Sequence, residues 1–272
     1  MTARVLQFPA EVAGWQRISD HLARVRLRTE GFESTGLADE WVGLIVPGQF
    51  QSRYYTVRAM DATASPIGEV VVDIVLHERG LVTEWAVRRL AEPVVGEQVT
   101  LTQPKGSFAP PPNAEWVYLV GDLTAMPAMA RIFEQWAVAN PGVEVRAWVE
   151  SADRPASYFP DGSAVTWVDP PSEGEVASGL AALVESLDWP AGEGYFWMAG
   201  ESAQMRSIRK HLMVHRPGMA NDAMGYWRAV GKRQPRAVDP TPIWRAGKAA
   251  GQTDQEIWAA YDAAREAEEN QA

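Results

Sequence analysis

A proline run divides this chain into two stretches with different hydrophobic patterns. The segment Ala109–Asn113 reads Ala-Pro-Pro-Pro-Asn, a stiff connection typical of a domain boundary. Before it, residues 17–105 contain short β-type runs, and after it apolar runs alternate with helical segments. Since 272 residues suffice for two ordinary domains, we predict one domain over 1–112, a second over 113–235, and a tail over 236–272.

The first stretch predicts an antiparallel β-barrel. Its strand-like runs are Arg17–Arg28, Trp41–Val46, Tyr54–Arg58, Glu69–Leu76 and Gln98–Thr102. Turns such as Pro47-Gly48 separate them, and several short strands at this spacing indicate an antiparallel barrel or sandwich. A short helix over Glu84–Leu90 is expected to begin near Thr83, with that residue as its N-cap.

The second stretch predicts a doubly wound α/β domain. Strands are expected at Trp116–Val120, Val143–Val149, Ala164–Val168 and Tyr195–Ala199. Helices are expected from an N-cap at Thr124 to about Ala139, around Val176–Leu187, and from Gly200 to about Val214. This alternation indicates a parallel sheet with helices on both faces. A ligand should lie at the carboxyl ends of the strands, at Gly121-Asp122 and Ala199-Gly200, although no GxGxxG motif occurs.

The tail contains one clear helix signal. Thr253–Glu256 is a capping box, and Ile257, Trp258, Tyr261 and Ala264 form one apolar stripe after it. We expect this helix to dock on the body of the protein; a free amphipathic helix for a partner is the alternative.

Composition excludes several kinds of chemistry. The absence of cysteine excludes disulfides, a thiol nucleophile and cysteine-held iron–sulfur clusters, so electron transfer would need an organic cofactor. His211 and His215 stand four residues apart without an acidic ligand, which favours a solvated helix face over a metal site. A net charge of −10 disfavours nucleic-acid binding. With no apolar run of about 20 residues and no signal-peptide pattern, we expect a cytoplasmic protein without membrane insertion.

The strand Arg53–Arg58 carries the richest chemistry. Side-chain alternation divides it into two faces, Arg53, Tyr55 and Val57 against Tyr54, Thr56 and Arg58. Two guanidinium groups, an aromatic ring and a hydroxyl suit a planar, phosphorylated ligand. The alternative is an edge strand with solvated arginines.

Five segments in order over residues 15–235 resemble the siderophore-interacting protein family, FAD-containing ferric-siderophore reductases of the ferredoxin–NADP⁺ reductase-like superfamily. They are Arg53–Arg58, Val72–His77, Gly80–Trp85, Gly121–Ala128, and Ala199–Glu201 with Tyr226–Arg228. The chain departs from the family pattern at four positions, where Glu78, Leu81, Val82 and Leu123 replace Gly, Pro, Ala and Glu. The departure at Leu123 removes an acidic side chain, whereas the backbone approach through Gly121 is kept.

The resemblance implies a noncovalent FAD and a set of contacts to it. The expected cofactor residues are Arg53, Tyr55, Thr56, Val57, Arg58, Asp73, Val75, His77, Gly80, Val82, Thr83, Trp85, Asp122, Thr124 and Ala125. Arg53 would pair with pyrophosphate, Tyr55 would pack on the flavin, and Thr56 would reach its N5 atom, which makes the latter two the expected catalytic residues.

Other members of this set have more than one interpretation. On the strand through Asp73, residues 73, 75 and 77 share one face, so Asp73 could accept from a flavin nitrogen. His77 could donate to the ribityl chain or phosphate, or be a satisfied barrel histidine. Backbone N–H groups of Val82 and Thr83 would bind pyrophosphate. Trp85 is either a core residue or an adenine contact, and Arg58 could instead be exposed.

The resemblance also implies the substrate and the reaction. Electrons would pass from NADH or NADPH through FAD to siderophore-bound Fe(III), with ferredoxin as an alternative donor, and the protein is expected to be a monomer. Trp227, Arg228, Lys232 and Arg233 follow the last strand and are the expected substrate contacts, with Arg245 and Lys248 as weaker candidates; a solvated charge run is the alternative. Other functions left open are a general flavin or ferredoxin-type electron-transfer reductase and a non-catalytic siderophore-binding flavoprotein.

Overall fold

The computed structural model describes residues 6–61, 67–77, 80–172, 177–229 and 240–271. Six antiparallel strands form a closed barrel in the order β1-β2-β5-β4-β3-β6. They are β1 (Gln7–Arg17), β2 (Leu22–Glu30), β3 (Trp41–Ile45), β4 (Arg53–Asp61), β5 (Ile67–Val75) and β6 (Gln98–Thr102). The predicted N-terminal barrel is therefore confirmed.

Alternating side chains fill the barrel interior. In β2, Val25 and Leu27 are buried, while Arg26 and Arg28 between and after them point outward. Helix α1 (Leu81–Ala91) packs against this core through Trp85, whose ring contacts that of Trp15 edge-on at 4.7 Å between centroids. The helix begins at Leu81 and not at Thr83, so the predicted N-cap at Thr83 is wrong.

The first strand was not predicted from the sequence. β1 contains Pro9 and Gly14, and its pairing with β2 shifts register between Val12 and Gly14. Val12 and Ala13 are consecutive and both buried, so the strand lacks the simple alternation that reveals its neighbours. β1 pairs with β2 on one side and β6 on the other, and it thereby closes the barrel.

The second domain is a five-stranded parallel sheet in the order β11-β10-β7-β8-β9. Its strands are β7 (Trp116–Asp122), β8 (Glu144–Glu150), β9 (Ala164–Val168), β10 (Gly194–Glu201) and β11 (Ala220–Trp227). Every residue of β7 and β10 is buried, as expected for strands covered on both faces.

Helices cover both faces of this sheet. They are α2 (Met126–Arg131), which continues as a π-helical segment Ile132–Ala137, α3 (Leu180–Ser186) and α4 (Ser202–His215). Leu119 packs on the face covered by α2, whereas Val120 packs on the face covered by α3 and α4. The doubly wound arrangement is confirmed, but α2 begins at Met126, and Thr124 does not cap it.

The tail forms two helices, α5 (Pro240–Ala249) and α6 (Asp254–Gln271). The capping box forms as predicted, since the Thr253 backbone N–H and hydroxyl both donate to Glu256. Helix α6 docks on α4 through an ion pair of 2.8 Å between Arg209 and Asp262. Its buried Ile257 packs beside Gly247 of α5. Helix α5 was missed because its two early prolines and a glycine resemble a loop, although proline fits the first helical turn. Among the described residues, no helix combines the length and apolarity needed to cross a bilayer.

Candidate functional site

The barrel and the sheet meet where β4 and β5 face α2 and the carboxyl end of β7. Arg131 of α2 donates to the backbone carbonyl of Val57 in β4 at 2.7 Å. Val75 of β5 packs against the hydrophobic cluster of the second domain, while Ile74 and Leu76 lie in the barrel core. The alternation predicted for this strand is therefore correct, and its outward face is turned toward the junction.

Thr56 and Tyr226 bring two hydroxyls together at this junction. Thr56 is 4% exposed, and its Oγ1 atom has no hydrogen-bond partner in the described part of the chain. The Tyr226 hydroxyl, from the end of β11, is likewise buried and unpartnered there. The two groups lie within interaction range without the geometry of a hydrogen bond. Burial raises the pKa of Tyr226 above its usual value, so its hydroxyl stays protonated at neutral pH.

Asp122 organises the carboxyl end of β7. One carboxylate oxygen accepts from the Thr124 backbone N–H at 2.8 Å and hydroxyl at 2.5 Å, and the other accepts from the Trp227 indole N–H at 2.5 Å. Burial raises the pKa of Asp122, and these hydrogen bonds oppose that effect. His77 lies within electrostatic range: desolvation lowers the pKa of His77, and the charge of Asp122 partly opposes it. The predicted site residues His77, Asp122, Thr124 and Trp227 thus come together.

The start of α1 offers backbone donors to an anion. Gly80, at the N-cap position, has φ of +133°, a conformation that favours glycine, and no side chain caps the helix. The first N–H groups of this 11-residue helix, including those of Val82 and Thr83, have no partner within the helix. Because β4 runs antiparallel to β5, Arg53 at the start of β4 lies at the barrel end where β5 leads into α1. Arg53 is exposed, which suits the pyrophosphate contact expected of it.

Arg58 and Asp73 belong to a network of ion pairs and hydrogen bonds between the two domains. The Arg58 guanidinium donates to both Glu134 oxygens at 2.7 and 2.6 Å. Asp73 accepts from Arg24 at 2.7 and 2.8 Å and from the Tyr158 hydroxyl at 2.6 Å. Both residues are buried, and this interdomain ion network engages their charges. The charged groups of Arg58 and Asp73 are thus engaged within the protein, and the flavin contacts expected of them stay predictions.

Four further predicted contacts have buried side chains. Val57 donates its backbone N–H to the Glu40 carbonyl at 2.8 Å and accepts from Arg131, so both of its backbone groups are used. Trp85 lies in the barrel core, and its indole N–H donates to Glu97 at 2.8 Å. Of its two interpretations, this position supports the core residue over the adenine contact. Val82 and Ala125 are also buried, which leaves only their backbone for a ligand. The cofactor contact expected of Val57 stays a prediction.

Tyr55 and the described substrate candidates differ in how far they are buried. Tyr55 is half-buried against the barrel core, and burial raises its pKa to about 12 while nearby Arg53 opposes that rise. Trp227 is half-buried and Arg228 is exposed, whereas Lys232 and Arg233 lie outside the described residues. The weaker candidates Arg245 and Lys248 are exposed on α5.

Sequence reasoning missed a groove beside Arg53. It has a volume of about 390 Å³ and is lined by Phe50, Tyr54 and Lys105 among others. Phe50 is 99% exposed and Tyr54 65% exposed, an unusual position for two aromatic rings. An aromatic residue in the polar loop after Pro47-Gly48 was the available signal. Tyr226 had no such signal, because its role depends on a contact across the domain junction.

Two family models match the chain. That of the siderophore-interacting FAD-binding domain matches residues 48–108, and that of the siderophore-interacting protein matches residues 114–230. An uncharacterised Mycobacterium tuberculosis protein is 29% identical over 80% of this chain and 89% of its own length. The NADPH-dependent ferric-chelate reductase of Escherichia coli is 25% identical over 59% of this chain and 61% of its own. The ferric acinetobactin reductase of Acinetobacter baumannii is 29% identical over 66% and 62%.

Solved structures share the fold. The siderophore-interacting protein from Acinetobacter baumannii has a TM-score of 0.68 at 21% identity, over 91% of this chain and 97% of that one. A siderophore utilization protein from T. fusca has a TM-score of 0.64 at 24% identity, over 86% and 97%. A ferredoxin NADP⁺ reductase from Neisseria gonorrhoeae with bound FAD and NADP has a TM-score of 0.58 at 13% identity, over 82% and 100%. With matched models over well more than half of its length, the chain belongs to the siderophore-interacting protein family, and its barrel is the FAD-binding domain of that family.

Proposed function

We propose that this protein is an FAD-dependent ferric-siderophore reductase that draws electrons from NADH or NADPH. The observation that carries the proposal is the placement of Thr56: its buried, unpartnered hydroxyl lies where the FAD-binding barrel meets the carboxyl end of the parallel sheet. In open α/β sheets this edge is where ligands bind. Relatives that are ferric-chelate or ferric-siderophore reductases by name support the oxidoreductase class.

The residues present fit FAD. Arg53 and the uncapped start of α1 supply a cation and backbone donors for the pyrophosphate. Tyr55 would pack beside the flavin, and Thr56 would present a hydroxyl to its N5 edge. Bound FAD supplies a carrier that takes two electrons as a hydride and releases them singly. The protein's part is to orient that ring and to keep water from its reacting edge.

The donor and the iron complex approach from the sheet side. Asp122 and Trp227 shape the carboxyl edge where a nicotinamide would bind, and Glu201, which caps α4 by accepting from Ala203 and Gln204, completes that edge. A net charge of −10 disfavours an acidic ferredoxin as the donor. Fe(III) held by hard oxygen ligands is released on reduction, since such ligands hold Fe(II) far less tightly. Arg228, Lys232 and Arg233 would attract an anionic ferric complex.

Anaerobic stopped-flow mixing tests this function. The purified protein should carry FAD, be bleached by NADH or NADPH, and regain flavin absorbance when a ferric siderophore is added. Thr56→Val should slow the bleaching, because it removes the hydroxyl with little change of shape, whereas Thr56→Ser should retain most of the rate. A protein that binds FAD yet is never bleached by either nucleotide would instead be a ferredoxin-driven enzyme or a non-catalytic flavoprotein. Release of FMN on heating would overturn the cofactor assignment.

The substrate cations have their own test. Replacing Lys232 and Arg233 together with glutamine should raise KM for an anionic ferric complex and leave FAD content unchanged. The effect should shrink with salt, because exposed charges are screened over about 8–10 Å at physiological ionic strength. A neutral hydroxamate complex should respond little. Unchanged KM for every complex at low salt would place the substrate elsewhere.

A further inference from the structure

Thr56 and Tyr226 are the two hydroxyls among the buried, unpartnered polar atoms of the described residues. They come from different domains, Thr56 from β4 and Tyr226 from β11, and they lie in range of each other at the junction. A buried hydroxyl without a hydrogen-bond partner is destabilising. Two such hydroxyls do not stabilise the contact between the domains. They indicate instead that this place binds a ligand.

Tyr195 shows what a structural tyrosine does in the same sheet. It lies on the neighbouring strand β10, is buried, and its hydroxyl accepts from the Ala109 backbone N–H at 3.3 Å. Tyr226 makes no such bond within the described ranges. Burial and the nearby carboxylates of Asp39, Asp222 and Asp122 keep its phenol protonated, so it can donate a hydrogen bond but cannot act as a base at neutral pH.

We infer that Tyr226 is a positioning residue for Thr56: its phenol O–H donates to Thr56 Oγ1 and leaves the Thr56 O–H directed at the flavin. The inference rests on the proposed function, in which Thr56 faces the flavin ring. A hydroxyl rotates freely until one of its partners is fixed. With its lone pair occupied by Tyr226, the Thr56 hydroxyl is oriented as a donor, and a donor favours oxidised flavin, whose N5 atom accepts.

The test compares affinities for oxidised and reduced FAD in FAD-free protein reconstituted with each. Thr56→Val and Tyr226→Phe should each weaken binding of oxidised relative to reduced FAD by about fivefold, equivalent to a rise of about 20 mV in the potential of bound flavin. The double variant should shift the ratio no further than Thr56→Val, because Tyr226 acts through Thr56. Tyr195→Phe should leave the ratio unchanged.

The outcomes separate this inference from the proposed function. If Thr56→Val shifts the ratio and Tyr226→Phe does not, the inference fails and the flavin contact of Thr56 stands. If neither shifts it, Thr56 does not face the flavin, and both fail. Additive shifts would mean that Tyr226 acts independently.

Discussion

Replacing Arg58 with methionine separates a structural arginine from a phosphate-binding one. The Arg58 side chain is 10% exposed and donates to both oxygens of Glu134, which is 34% exposed. Its guanidinium also lies 5.2 Å from the centre of the Tyr158 ring. Methionine keeps much of the apolar stem and removes the charge. The variant therefore tests what the guanidinium contributes to the domain junction.

The expected cost follows from what each partner can do afterward. Removing one member of a fully buried ion pair costs about 3–5 kcal/mol. Here Glu134 regains water because a third of it is exposed, and Asp73 keeps its bonds from Arg24 and Tyr158. The loss should therefore fall to about 2 kcal/mol, or about thirtyfold in the folding equilibrium.

Urea unfolding followed by tryptophan fluorescence measures this loss, and flavin fluorescence measures FAD affinity. The matched control is Arg146→Met, since Arg146 and its partner Glu144 are 54% and 45% exposed, and it should change stability by less than about 0.5 kcal/mol. FAD affinity should change by less than about threefold in both variants. A stable Arg58→Met protein that binds FAD more than about tenfold more weakly would refute the reasoning and return Arg58 to the cofactor site.

Three other substitutions test the fold and its pH dependence. Gly121→Ala should lower stability by about 1–3 kcal/mol by urea unfolding, because the new Cβ would lie 2.4 Å from an alanine side chain, whereas Gly142→Ala, in open space, should be neutral. The hydrogen bond from Arg89 lowers the pKa of Glu97 below its usual value. The contribution of Glu97 to stability is therefore complete above the unfolded pKa of about 4.3 and is lost as the pH falls through the folded pKa. Glu97→Gln should make the free energy of unfolding less dependent on pH in this acid range. Ile257→Ala should release α6 to proteolysis while the flavin spectrum stays unchanged, and intact protection would contradict the docking of the tail.

Local pattern predicted much of the fold. Val25 and Leu27 alternate with arginines in β2, and the continuous apolar run of β7 fits a strand buried on both faces, so both elements could be read directly. β1 and α5 were not predicted. A bulge interrupts the hydrophobic alternation of β1, and two early prolines obscure the helical pattern of α5. For β1, pairing with β2 and β6 decides the conformation.

The candidate site was predictable where one strand or helix end carries the chemistry. The positions of Arg53 and Thr56 on β4 and of Gly80 before α1 follow from strand alternation and a helix start, which are local properties, while their contacts to FAD stay predictions. The neighbours of Arg58 and Thr56 are not local. Glu134, which accepts from Arg58, and Tyr226, which lies near Thr56, both come from the second domain, and the sequence around Arg58 and Thr56 gives no sign of either. Alternation predicted the face of β4 on which Arg58 lies, but only the folded structure shows that Glu134 pairs with it.

The topology of the barrel constrains the order in which its strands can pair during synthesis. β1 must find both β2, its neighbour in sequence, and β6, whose Thr102 pairs with Gln7 at the opposite end of the domain. During synthesis the edge of β2 can pair with β5, but the other edge of β1 stays open until β6 has left the ribosome. Removing the residues up to and including Ala10 would take away most of the pairing between β1 and β6 and leave that edge open in the folded protein. A protein shortened in this way should therefore aggregate.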